Sequence, residues 1–308
     1  MNRINSNINL GAKIEPGIDP VNLKLKFWED LIYKLECDSN NRGIMIEHPV
    51  SILLLDCLRQ NYNINLRYLS TFLNTKKNSL NNQVPNNIES LCSYGEGTYS
   101  QLNYLLQGLL LSETISPSCI KLLENSIFLK NLITDIAAHI GQSMSIATTL
   151  IRLKYFANKK NSIYLPIDLM LKKNLSQEQL LKIFQGYIDK DSKEFINISN
   201  SLSDLVFEMA TVANDHLLTA RSKFSKVKQE IQTILKDNSN DLYLLSCSDK
   251  WLQGVPDAIY IPFMSAIPLQ IYLGKLETHN FDIINNNLET KEWRLAWKSY
   301  WNYNKRLF

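Results

Sequence analysis

The chain is short of residues that interrupt a helix: 10 glycines and 9 prolines in 308 residues. So few breaks favour long helices over many short strands. Histidine is scarcer, with only His48, His139, His216 and His279. No HExxH, GxSxG, P-loop or GxGxxG pattern occurs, which removes the main support for zinc-hydrolase, serine-hydrolase and nucleotide-binding readings. The five cysteines, Cys37, Cys57, Cys92, Cys119 and Cys247, are odd in number and widely spaced, without a CxxC. That argues against a disulfide framework or zinc ribbon and for a reducing compartment. No run of about 18 apolar residues occurs, so no membrane span is expected. A net charge of +3 is too weak to imply nucleic acid.

What is present is apolar residue at helical spacing. Hydrophobic residues make up 45% of the chain and charged ones 20%, enough for a sizeable core under a polar surface. Helices are expected over residues 23–35, from Pro49, and over 66–73. The polar run 74–87 reads as an exposed loop. A long helix should follow over about 87–111. Residues 119–156, with no proline and only Gly141, form one bent helix or two in sequence. Ser176 is an N-cap signal for a helix through Phe184. Residues 193–236 read as a long helix whose weakest point is Asn214-Asp215. Pro256, Pro262 and Pro268 punctuate a later helical stretch, and 291–304 closes the chain. The expectation is an all-α chain, one domain over 21–308, with 1–20 a disordered or truncated segment.

Several residues carry candidate chemistry. Asp135 and His139 are one helical turn apart on an apolar helix, where a hydrogen-bonded core pair is expected before a metal pair. His216 and Arg221 have the donors to hold an anion in a residual pocket. Arg152, beside Lys154, is expected to snorkel from the end of a buried helix. Tyr94, Tyr99 and Tyr104 lie along one helix and should pack in the core. The acid pairs Asp204/Glu208 and Asp237/Asp241 read as solvated faces. Trp293, Trp297 and Trp301 form a stripe with Arg294, Lys298, Lys305 and Arg306 nearby. Packing onto the bundle is its expected role, and contact with a membrane surface or partner the alternative.

Five segments in order then resemble the squalene/phytoene synthase family. The Leu23-Lys-Leu-Lys-Phe-Trp28 stretch is similar to its R-L-x-W-W element, and His48-Pro49-Val50 to its H-P-V-A. Tyr94-Gly-Glu-Gly-Thr-Tyr-Ser100 sits where the family has Y-C-x-x-V-A-G. His139-Ile-Gly141 through Arg152, with Ile163-Tyr-Leu-Pro166, tracks L-G-x-A-L-Q-L-T-N-I-L-R-D and V-Y-L-P. Ala213-Asn-Asp-His-Leu217 with Ala220-Arg221 resembles A-x-x-H-L-x-x-A-R. Within the family, Glu96-Gly-Thr-Tyr-Ser-Gln-Leu-Asn-Tyr-Leu105 and Ala137-Ala-His-Ile-Gly-Gln-Ser-Met-Ser-Ile146 are most similar to a subgroup of mitochondrial complex I assembly factors.

The resemblance implies an isoprenoid-synthase-like helical bundle around a central cavity. It also implies where magnesium should be held: two D-x-x-x-D motifs whose carboxylates face one cavity and clamp a diphosphate. For the first motif this chain offers only Glu15 and Asp19, with Pro16 and Gly17 between them. For the second, the positions after Arg152 are Leu153 and Ala157. Apolar groups stand where metal-binding acids belong. The resulting expectation is a pseudo-synthase with no metal, cofactor or nucleic-acid partner. Its partners would be complex I subunits or other assembly factors, on the matrix side of the mitochondrial inner membrane. An active prenyl transferase and an isoprenoid or lipid carrier are the alternatives. The expected residual polar pocket comprises Tyr94, Asp135, His139, Arg152, His216 and Arg221.

Overall fold

The computed structural model describes residues 20–38, 48–81 and 84–308, and all its regular elements are helical. The segment expected to be disordered or truncated, and with it Glu15 and Asp19, lies outside the described residues except for Pro20.

Helix α1 (Pro20–Asp38) carries Phe27 and Trp28, and α2 (Pro49–Arg59) begins where His48 caps it. The Nδ1 of His48 accepts from the Val50 amide at 3.2 Å, and Pro49 loses nothing at a first helical position. The His48 ring packs edge-on against Phe27 and Trp28 at 5.5 and 5.1 Å. Two family-like segments are thus neighbours in space. With α3 (Leu66–Asn81) these helices bury a small core of Leu31, Ile32, Leu35, Leu66 and Leu73. The polar run from residue 74 is therefore not all loop, because α3 continues to Asn81. Its Asn, Thr, Lys and Ser residues carry only small helix penalties, and packing against the next helices offsets them.

Helices α4 (Ile88–Gly95) and α5 (Gln101–Leu110) make one rod through a π-turn at Glu96–Ser100. The stretch from residue 119 resolves as two helices in sequence, α6 (Pro117–Glu124) and α7 (Ile127–Lys160). The hydroxyl of Ser126 caps α7 by accepting from the Leu129 amide at 3.0 Å. Two short helices follow, α8 (Ile167–Lys172) and α9 (Gln177–Phe184), and Ser176 with Gln179 forms a full capping box on α9. Helix α10 (Lys193–Asp237) runs unbroken through Asn214-Asp215. Those two residues point outward, while Ala213 and Leu217 are buried on either side. Helices α7 and α10 lie side by side and supply about half of the main core.

The α4–α7 crossing is unusually close at Gly95 and Gly141. A Cβ on Gly95 would lie 2.7 Å from the Gly141 carbonyl oxygen and 2.9 Å from the Gln142 Cα. Only glycine lets the two backbones meet there.

The C-terminal third contains α11 (Leu242–Ser248), α12 (Asp257–Tyr260), α13 (Ala266–Thr278) and α14 (Leu295–Lys305). Pro262 lies in a 3-10 turn before α13, and Pro268 falls in the first turn of α13, where its missing N–H costs no bond. The tryptophan series in and just before α14 does not pack onto the bundle. Trp293, Trp297 and Trp301 are 74%, 69% and 57% exposed. The opposite face and the following turn hold this helix: Tyr260 Oη donates to the Asn302 and Leu307 carbonyls at 3.0 and 2.5 Å. Arg306 is buried and pairs with Asp257. Polar anchors therefore fix α14 and leave its aromatic side to solvent. Among the described residues, no helix is long and apolar enough to cross a membrane.

Candidate functional site

A polar seam runs where α3, the α4–α5 rod, α7 and α10 converge, and its centre is the π-turn. Such a turn inserts one residue into a helix and re-aims the side chains around it. Here it turns Glu96 inward. The Tyr104 hydroxyl donates to Glu96 Oε1 at 2.7 Å, and Gln142 Nε2 approaches Oε2 at 3.4 Å. Burial, and then the Glu96 carboxylate that its hydroxyl serves, push the Tyr104 phenol far above its ordinary value. Tyr104 is therefore a fixed donor that keeps Glu96 in place.

One end of the seam is basic. The extension of α3 brings Lys76 inward, where its ammonium bonds the Tyr94 hydroxyl and sits 4.8 Å from the Tyr94 ring centre. Burial holds the Lys76 pKa below the ordinary lysine value, and the Arg152 charge lowers it further against an opposing influence of Tyr99. Burial raises Tyr94, which Arg152 counteracts. Tyr94 and Arg152 thus share one electrostatic neighbourhood with Lys76, while the Arg152 side chain is exposed to solvent.

The other end holds histidines. His139 Nδ1 and His216 Nδ1 are 3.1 Å apart, and His216 Nε2 lies 3.5 Å from Cys92 Sγ. Burial lowers both imidazole pKa values, and His216 lowers His139 further. Burial also raises the Cys92 thiol, which disfavours a nucleophilic thiolate. The arrangement is a neutral hydrogen-bonding relay across the α7–α10 seam.

The remaining two sequence candidates lie elsewhere. Asp135 accepts from Lys223 Nζ at 2.6 Å on an exposed face. It does not form the expected core pair with His139, on which it is the last of four influences. Arg221 donates to the Phe308 carbonyl and lines a separate cleft of about 600 Å³ between α10, α13 and the start of α14. The six candidates therefore form two adjoining pairs and two outlying residues. Asp204 and Glu208 take ion pairs from Lys172 and Lys173, and Asp241 caps α11 and pairs with Lys121. Asp237 is exposed at the end of α10, so both acid pairs are surface features.

Sequence reasoning did not single out Lys76, Glu96, Gln142 or Cys92, and it placed Tyr104 in the core without its bond to Glu96. Lys76 was hidden in a run that reads as loop. Glu96 had a usable signal, as the single acid between Glu89 and Glu113 in a helical run.

Magnesium does not fit the second motif. Leu153 and Ala157 are fully buried in the main hydrophobic core, so those positions open onto no cavity and offer no oxygen. Among the described residues, no group of three or more His, Cys, Asp or Glu is placed to hold a metal ion.

The sequence profile described as squalene/phytoene synthase matches residues 11–236. The chain is 24% identical over 270 residues to the human protein named NADH dehydrogenase (ubiquinone) complex I, assembly factor 6, covering 87% of this chain and 62% of that protein. With the mouse protein of that name it is 23% identical over 279 residues, 90% of this chain and 64% of the relative. With the Drosophila melanogaster homolog it is 25% identical over 297 residues, 95% of this chain and 70% of the relative. It thus spans less than two thirds of the length of these human and mouse relatives.

Proposed function

The chain belongs to the squalene/phytoene synthase family, and from that membership we propose that it is a pseudo-synthase: a non-catalytic assembly factor for mitochondrial respiratory complex I. The carrying observation is the pair Leu153 and Ala157. They occupy the positions of a metal-binding acid motif, in a segment otherwise similar to the family, and both are fully buried among apolar neighbours. A diphosphate leaving group needs charge neutralisation that these side chains do not supply. The frame of the fold is kept and the chemistry is given up.

The assembly role rests on the relatives, whose printed names are those of complex I assembly factors and whose similarity covers 87–95% of this chain. The client would be a complex I subunit or another assembly factor, and the site of action the matrix side of the mitochondrial inner membrane, with the protein peripheral to it. The decisive experiment is gene deletion and re-expression in the source organism. Complex I level and NADH-oxidising activity should fall on deletion and recover with the chain restored. Normal complex I after deletion would overturn the reading. A purified chain that turns over farnesyl or geranylgeranyl diphosphate with magnesium would overturn its non-catalytic part.

A further inference from the structure

Helix α14 has a face with nothing on it. Trp293, Trp297, Tyr300 and Trp301 are all more than half exposed, and no side chain of the helix is buried. At about 100° per residue, Tyr300, Trp297 and Trp301 fall within about 100° of arc, with Lys298 and Lys305 along one edge. The helix contains no acid. Lys305 sits 4.3 Å above the Trp301 ring centre, and Arg294 5.8 Å from that of Trp293. Two acids lie beside the helix: Asp257, which accepts from the Tyr303 hydroxyl at 2.8 Å and pairs with Arg306, and Glu292, which pairs with Lys275 and Arg294.

Beside this helix lies the 600 Å³ cleft. Arg294 and Lys298 line it, together with Lys275 and Arg221 from the neighbouring helices. Its apolar lining includes Phe207 and Phe281, whose rings meet edge-on at 5.0 Å. Glu277 and Glu292 line it too, so its four cations outnumber its two acids in a hollow next to an aromatic ridge.

We propose that α14 and the cleft beside it dock the protein onto an anionic phospholipid surface, the tryptophan and tyrosine rings entering the headgroup–acyl boundary and Arg294, Lys298 and Lys305 meeting lipid phosphates. The composition decides for lipid over a second copy or a protein partner. Indole and phenol rings have an apolar body and a polar tip, and they concentrate where hydrocarbon meets water. An acid-free cationic edge complements a phosphate-rich plane. Rigidity supports the same choice. Arg306, buried and bonded to Asp257 and to the Val255 and Tyr303 carbonyls, fixes the helix end, so the ridge is presented without an ordering cost. The proposal rests on the peripheral membrane placement given above and names the face that makes the contact.

The test uses the purified full chain and vesicles of phosphatidylcholine, with and without phosphatidylglycerol. The protein should float with the phosphatidylglycerol vesicles, more weakly with phosphatidylcholine alone, and its tryptophan emission should shift to the blue. Trp297→Ala with Trp301→Ala should weaken binding to both vesicles by about tenfold or more. Lys298→Gln with Lys305→Gln should weaken only the anionic case, by about fivefold per cation. All four side chains are exposed, and unchanged thermal unfolding verifies the fold. Wild-type protein that binds neither vesicle overturns the proposal. So do variants that bind like wild type, or a solution dimer that the tryptophan variant disperses. Flotation needs no complex I, so its failure leaves the assembly role standing, and failure of the assembly role leaves the flotation result intact.

Discussion

His139 on α7 and His216 on α10 meet Nδ1 to Nδ1 at 3.1 Å. Two imidazolium ions cannot share that distance, and a neutral pair can place one N–H between the two nitrogens. Burial lowers both pKa values below the unfolded 6.5, and the His216 charge lowers His139 further. The sign follows: between 6.5 and the depressed folded values the unfolded chain binds more protons than the folded one.

Stability against urea should therefore be full above the unfolded value and fall as pH drops through 6.5 toward the folded pKa values. Replacing both histidines by asparagine should flatten that part of the profile. An unfolding midpoint that stays level from pH 7.5 to 5.5 in wild type, or a slope that survives the double change, would contradict the geometry.

Gly95→Ala should destabilise the fold by about 1–3 kcal/mol, although alanine is the better helix former. The new methyl meets backbone of α7, which cannot rotate aside. Thermal unfolding measures the loss, and an unchanged or raised midpoint would show that α4 and α7 separate freely.

Restoring an acid in the second motif should damage the protein without restoring synthase chemistry. Leu153→Asp puts a carboxylate among core side chains with no partner, at a cost of several kcal/mol. Far-UV circular dichroism should show lost helix or an early melt. A stable, folded variant with magnesium-dependent diphosphate turnover would refute the account of that position.

Arg306→Ala should cost about 1–3 kcal/mol by leaving the Val255 carbonyl unbonded and the Tyr260 and Tyr303 rings uncovered, while half-exposed Asp257 keeps water and its bond from Tyr303. Limited proteolysis should then cut near α14 first. Equal resistance in wild type and variant would mean that other contacts hold the helix.

The sequence by itself determined the helical class, most helix starts and the apolar character of positions 153 and 157. Each is written locally. Ser126, Ser176 and His48 accept from amides two or three residues on, and the character of Leu153 and Ala157 needs no partner to be read. Only the tertiary structure decided that Lys76 turns inward, that Glu96 sits on a π-turn held by Tyr104, and that Asp135 goes to Lys223 and not to His139. It alone decided that the α14 tryptophans face water. Spacing along one helix tells which residues share a face. It does not tell what that face meets, because the opposing atoms come from residues tens to hundreds of positions away.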